Sequence, residues 1–182
     1  MGGRVISRSD LAAKLAAARA SGQRVVFTNG CFDLVHAGHV RYLREAASFG
    51  DILVVGLNSD ASVRLLKEPG RPIVPEADRA EVVAALEMVD YVVIFDEATA
   101  EALVAELRPD VYVKGGDYRV EDLPEARVVA GYGGQVRLVR YHEARSTTGI
   151  IQKILETYRS RSDERRRSRA RATGQPKRSA EP

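Results

Sequence analysis

Tryptophan is absent from the 182 residues, which hold one cysteine, two methionines and three histidines. A lone Cys31 cannot close an internal disulfide, so nothing argues for an oxidising compartment. No apolar run approaches the roughly 18–20 residues of a membrane span. The opening MGGRVISRSD lacks the apolar core of a secretion signal. These absences lead to the expectation of a cytoplasmic protein with no membrane partner. Several nucleotide and acyl-transfer signatures are missing as well: no GxxxxGK[ST] loop, no GxGxxG after the first strand, and no GxSxG. Gly131-Tyr132-Gly133-Gly134 has the wrong spacing and precedes a strand, so it reads as a turn.

The basicity of the chain is local. Residues 159–182 carry nine Lys/Arg against three Asp/Glu, leaving 19 basic and 22 acidic residues in the remainder. That remainder is mildly acidic, which disfavours nucleic-acid binding by the folded part. The tail has no aliphatic side chain larger than alanine and reads as disordered. The expected organisation is therefore one folded domain, 1–158, and a basic tail, 159–182.

Within the domain, apolar runs alternate with helical patterns. Ser9-Asp10 marks the start of an alanine-rich helix to about Ala20, closed by Gly22. Strands follow at Arg24–Asn29, Ile52–Asn58, Tyr91–Phe95, Val111–Lys114 and Gln135–Val139. Helices are expected near Gly38–Phe49, Asp78–Glu87, Thr99–Leu107, Glu125–Ala130 and Thr147–Tyr158. The connection KEPGRPIVPEADR has three prolines and one glycine, which exclude a regular element. DILVVGLN is continuously apolar, as suits a parallel strand covered on both faces. The pattern predicts an α/β fold: a doubly wound, mainly parallel sheet with helices on both faces, Rossmann-like in character. Such sheets bind ligands at the carboxyl ends of their strands, where TNGCFD, NSD and KGGDY fall.

Two of the three histidines, His36 and His39, flank Ala37-Gly38 at the first strand-to-helix junction. Gly38 lets backbone approach a ligand, a helix N-terminus favours anions, and even a neutral imidazole supplies one N–H. This pattern points to phosphate. RSTTG offers the same physics, because Ser146, Thr147 and Thr148 precede the apolar helix IIQKIL; ordinary N-capping leaves the same trace. Lys67 and Arg79 flank the proline-rich loop as candidate counter-charges, with plain surface exposure as the alternative. Zinc is disfavoured, since His36 and His39 lack a third ligand in a recognised pattern.

TNGCFDLVHAGH with RSTT resembles the nucleotidyltransferases related by HxGH and STT-type motifs. GLNSDASVRLLK, GRPIVPEADRAEVVAALEMVDYVV, LRPDVYVKGGDY and RSTTGIIQKI are more narrowly similar to the adenylyltransferase domain of ADP-heptose synthases. The likeness runs from about Ser9 to Tyr158. Many relatives fuse this domain to a sugar kinase; with no kinase sequence ahead of it, the stand-alone form is expected. LPEARVV (Leu123–Val129) departs from the Val-Gly-containing segment of many relatives.

The resemblance implies AMP transfer from ATP to D-glycero-β-D-manno-heptose 1-phosphate, giving ADP-heptose and pyrophosphate. Mg²⁺ would be carried by the triphosphate, without direct protein ligation, and a homodimer is implied. His36, His39 and Lys67 would be catalytic. Asn29, Gly30, Phe32, Gly38, Arg79, Gly115, Asp117, Ser146, Thr147 and Thr148 would bind nucleotide. Asp33, Asp60, Gly116 and Tyr118 would bind the sugar phosphate. A cytidylyltransferase, or a nucleotidyltransferase acting on another sugar or polyol phosphate, shares these residues. A non-catalytic nucleic-acid binder acting through the basic tail is the remote alternative; no specific nucleic acid is expected.

Overall fold

In a computed structural model of the chain, the structure describes residues 3–116, 118–139 and 146–172, with backbone alone from 160 onward. Two compact units are present, Met1–Glu143 and Ala144–Pro182. The first unit contains one six-stranded sheet. Its strands are β1 (Arg4–Val5), β2 (Val25–Gly30), β3 (Ile52–Asn58), β4 (Tyr91–Phe95), β5 (Val111–Gly115) and β6 (Gln135–Val139). All neighbours pair in parallel in the order β1-β4-β3-β2-β5-β6. The helices are α1 (Arg8–Ala20), α2 (Ala37–Ala47), α3 (Asp60–Leu66), α4 (Glu76–Ala84), α5 (Glu101–Leu107) and α6 (Pro124–Gly131).

Successive side chains of a strand point to opposite faces, and here both faces are apolar. Val26, Val55, Val92 and Val111 pack with Leu43 and Ala46 of α2 and with Ala80 and Val83 of α4. Val25, Phe27, Val54, Val93 and Tyr112 pack with Leu11 and Leu15 of α1, Leu103 and Leu107 of α5, and Val129 of α6. These two layers are the helices on both faces that the continuous apolar strands predict.

The amino ends of the strands are closed by aspartates. Asp51 accepts from the Arg24 N–H, Asp110 from the Val25 N–H and Asp90 from the Leu53 N–H, each at 2.7 Å. A cleft at that edge, lined by Arg19, Arg24, Arg108, Asp110 and Tyr132, has its arginines engaged. Arg19 donates to the Arg108 carbonyl at 3.0 Å, and Arg24 to Gln135 at 3.0 Å.

Five local expectations change. The edge strand β1 was invisible because Arg4 and Val5 are exposed and only two residues long. α3 replaces an unassigned stretch; Ser59 caps it, accepting from the Ser62 N–H at 3.2 Å. α1 starts earlier, with Ser7 as cap, and α4 starts just after Pro75. In the second unit, α7 (Thr147–Ala172) continues past Tyr158 into the segment expected to be disordered. Arginine and alanine are good helix formers, and no glycine or proline interrupts them before Gly174. No described helix is long and apolar enough to cross a membrane.

Candidate active site

β2 lies between β3 and β5. The chain leaves β2 through α2 toward β3, while β5 continues through α6 toward β6, so the connections diverge between β2 and β5. Ligand crevices of open α/β sheets lie at such a switch point, outside the carboxyl ends. Asn29, Gly30 and the TNGCFDLVHAGH segment arrive there from β2. Lys114, Gly115 and Gly116 arrive from β5.

His36 is the N-cap of α2, with extended backbone (φ −141°). Its Nδ1 accepts from the Gly38 N–H at 3.1 Å, and His39 Nδ1 accepts from the His36 N–H at 3.3 Å. This is a capping box built from imidazoles instead of hydroxyl and carboxylate. The rings stack with centroids 4.0 Å apart and 28° between planes. Because Nδ1 of each ring accepts, each neutral imidazole carries its proton on Nε2. Burial, reinforced by His36, holds the His39 pKa down to about 4. His39 therefore stays neutral near pH 7, with its proton on Nε2. The Gly38 N–H, expected to face an anion, is instead committed to His36.

Phe32 supports this arrangement. Its φ of +47° is unusual for a bulky side chain, and backbone outliers of this kind cluster at functional sites. The ring is buried and lies 5.3 Å from that of His39, tilted by 55°. Gly30 lies close beneath it: a Cβ there would stand 3.0 Å from the Phe32 ring, which would have to shift by a few tenths of an ångström.

The proline-rich loop is tied down from inside. Asp33, 3% exposed, accepts from the Ile73 N–H (2.8 Å), the Val74 N–H (2.9 Å) and the buried Arg71 guanidinium. Burial alone would raise the Asp33 pKa, but the Val74, Ile73 and Arg71 hydrogen bonds outweigh it and leave it lowered. Its carboxylate is thus occupied by the loop, a different placement from the substrate contact expected of it. Arg79 is not on the loop surface either, being 1% exposed. It donates to the carbonyls of Val74 (2.9 Å), Asn58 (2.9 Å) and Cys31, and to the Asp60 carboxylate (2.7 Å). One guanidinium thereby ties the ends of β2 and β3 to the loop, and Asp60 serves as its counter-ion.

Lys67, the C-cap of α3, is exposed and acts electrostatically on Cys31 and Lys114. Gly115 ends β5, and Gly116 has φ +129°, a region open to glycine, with its N–H bonded to the Val139 carbonyl at 3.1 Å. Tyr118 is 51% exposed. Asp117 lies outside the described residues. Ser146, Thr147 and Thr148 belong to the second unit, where Ser146 Oγ accepts from the Gly149 N–H at 3.0 Å and Thr147 begins α7.

Sequence reasoning missed Lys114. Its Nζ donates to Asn29 Oδ1 at 3.1 Å and to the Tyr112 hydroxyl at 3.2 Å, while that hydroxyl donates to Asn29 Oδ1 at 2.8 Å. The signal was available, since a lysine closing the apolar run VYV at a strand's carboxyl end is out of place in a core. Among the described residues, no group of three His, Cys, Asp or Glu is arranged to hold a metal ion.

Residues 27–159 match a family model described as cytidylyltransferase-like. The chain belongs to this family. It is 57% identical over 148 residues to the bifunctional protein HldE of Geobacter sulfurreducens, covering 81% of this chain and 30% of that protein. The HldE protein of Pelobacter propionicus is 52% identical over 155 residues, covering 85% and 32% respectively. The chain thus spans about a third of the length of these curated relatives. Among solved structures, a lipopolysaccharide core biosynthesis protein from Thermoplasma volcanium GSS1 is 30% identical, with a TM-score of 0.56, over 68% of this chain and all of that one. A pantoate-beta-alanine ligase from Francisella tularensis, at 13% identity and a TM-score of 0.56, shares the fold. The six-stranded parallel sheet with helices on both faces is Rossmann-like.

Proposed function

We propose that this protein transfers AMP from ATP to D-glycero-β-D-manno-heptose 1-phosphate, releasing pyrophosphate and yielding ADP-heptose. The observation that carries the transfer chemistry is the stacked His36–His39 pair, whose Nδ1 atoms are both occupied by backbone N–H groups. The sugar rests on the sequence resemblance from Ser9 to Tyr158. The Thermoplasma relative named for lipopolysaccharide core biosynthesis is in keeping with it.

A sugar phosphate is already an anionic nucleophile near pH 7, so no general base is required. One of its oxygens bonds to the α-phosphorus of ATP as the bond to the bridging oxygen breaks and pyrophosphate departs. Catalysis then reduces to alignment and charge stabilisation. The Nε2–H groups of His36 and His39 donate to α-phosphate oxygens, and Phe32 fixes the His39 ring from behind. Lys67 and Lys114 bring positive charge to the same edge. Asp33 and Arg79 act one step removed, holding the loop and the strand ends. The sequence resemblance gives Ser146 and Thr147 the β- and γ-phosphates, with Thr148 also binding nucleotide. It gives Gly115, Gly116, Asp117 and Tyr118 the base or sugar.

Mg²⁺ fits as a companion of the triphosphate, because the nearby carboxylates of Asp33 and Asp60 are already paired with Arg71 and Arg79. When bound, it neutralises phosphate charge. A homodimer in the cytoplasm, where ATP is supplied, completes the proposal.

The family description favours CTP as the second reading. Pyrophosphate release, crossing ATP, CTP, GTP and UTP against β-heptose 1-phosphate, α-heptose 1-phosphate and glycerol 3-phosphate, separates the two. Release with ATP and the β-heptose phosphate alone supports the proposal. Turnover only with CTP, or only with glycerol 3-phosphate, overturns the substrate.

A further inference from the structure

Phe27 of β2 and Tyr112 of β5 are register partners, and their rings stack with centroids 6.2 Å apart and 21° between planes. Tyr112 is fully buried, so packing fixes its ring. Gly56, opposite Asn29 on β3, leaves room on this face. A Cβ there would stand 2.6 Å from the Phe27 ring and 3.3 Å from Asn29 Cβ.

The Tyr112 hydroxyl donates its one proton to Asn29 Oδ1 at 2.8 Å and accepts from Lys114 Nζ at 3.2 Å. Lys114 gives a second proton to the same Oδ1 at 3.1 Å. Both lone pairs of that oxygen are thereby taken. The amide cannot turn over, because its NH₂ would then face an ammonium that has only protons to offer. Asn29 is locked with its oxygen toward Tyr112 and Lys114. Among the described residues, its Nδ2 and the third Lys114 N–H have no hydrogen-bond partner.

We propose that Tyr112 is a positioning residue for nucleotide binding. With Lys114 it locks the Asn29 carboxamide so that the NH₂ group, beside the third Lys114 N–H, meets phosphate oxygens at the β2–β5 switch point. This deepens the nucleotidyl-transfer reading and rests on it for the identity of the ligand. Donors on a cation and an amide, with no acceptor among them, suit an ionised phosphate, which only accepts. A lock set before binding also removes the cost of ordering the amide when ligand arrives. An unlocked carboxamide would turn its oxygen on the phosphate part of the time.

The test uses the full chain labelled with ¹⁵N. Tyr112→Phe keeps the stacked ring and removes only the hydroxyl. Side-chain ¹⁵N relaxation should show a rigid Asn29 NH₂ in the wild type and a mobile one in Tyr112→Phe, at similar melting temperatures. Equal rigidity in the two overturns the lock. ATP, CTP, GTP and UTP are then added in turn with Mg²⁺ and no sugar phosphate. A nucleotide that binds should shift the wild-type Asn29 NH₂ signals, and shifts elsewhere with these unmoved overturn the contact. For that nucleotide, Tyr112→Phe should weaken Kd about fivefold to tenfold. In an active chain it should raise KM and leave kcat nearly unchanged, the mark of lost ground-state binding.

Asn29→Asp decides if Tyr112→Phe does not fold. Aspartate still accepts from Tyr112 and Lys114 but turns a second oxygen on the phosphate. It should melt no lower than wild type and lose about tenfold or more in Kd, and wild-type affinity in this variant overturns the proposal. A shift at the Asn29 NH₂ in a chain that turns over no substrate pair defeats the nucleotidyl-transfer reading alone. No shift anywhere with any of the four nucleotides overturns both.

Discussion

His39 reaches back to the backbone N–H of His36 at 3.3 Å while its ring stacks 4.0 Å from the ring of the same residue. Each Nδ1 is consumed in closing the first turn of α2, so a neutral ring in either position carries its proton on Nε2. Protonating Nδ1 would break the cap as well as change the charge. The His39 imidazole is therefore held neutral.

Stability should report this directly. His39 has its folded pKa lowered from 6.5 to about 4, so between those values the unfolded chain takes up a proton that the folded chain refuses. Stability falls as pH falls through that window and is unaffected by this group above it. The loss is about 2 kcal/mol after allowance for partial exposure. Urea unfolding at pH 7 and pH 4.5 should show it in the wild type and not in His39→Asn. Asp33, held below 3.8, gives up its contribution only at lower pH.

Asp33→Asn should loosen the loop without touching the histidines. It leaves the Arg71 guanidinium, 6% exposed, without its buried partner, a change worth about 3 kcal/mol. Hydrogen exchange at the Ile73 and Val74 amides should accelerate. The KM for ATP should rise more than kcat falls, because Lys67 sits at the start of the freed loop.

Phe32 offers an inverted substitution order. Glycine usually destabilises relative to alanine, yet at φ +47° alanine keeps the backbone penalty and glycine does not. Phe32→Gly should be more stable than Phe32→Ala by about 1 kcal/mol. Both should lose turnover, since neither backs the His39 ring. Paired urea titrations and kinetics check the two halves.

Much of this was legible in the sequence. Three strands, Ile52–Asn58, Tyr91–Phe95 and Gln135–Val139, keep their expected bounds because apolar runs such as YVVIF and DILVVGLN are bounded by polar or turn residues. The histidine pair was legible from its junction with β2. The roles of Asp33 and Arg79 were not, since their partners are backbone groups at Ile73, Val74, Asn58 and Cys31, which sequence spacing does not advertise. Lys114 was missed for a related reason: its contacts with Asn29 and Tyr112 need β2 and β5 to meet. The extension of α7 to Ala172 followed from helix propensity, which the argument from missing apolar residues had ignored.

Truncation after Arg159 should leave kcat/KM within about twofold of the full chain, as expected for a terminal segment outside the core. The family match ends at this residue. Loss of turnover on truncation would move function into α7, and loss only of RNA retention would confine the basic segment to non-specific binding.

The most direct measurement is steady-state turnover of ATP and β-heptose 1-phosphate by His36→Asn and His39→Asn, with folding verified by thermal melting at pH 7. Asparagine keeps a side-chain acceptor for the cap and removes the Nε2–H. The account predicts a fall in kcat of about 10²- to 10³-fold for each variant, with melting temperatures close to wild type. Near-wild-type kcat in either folded variant would contradict it.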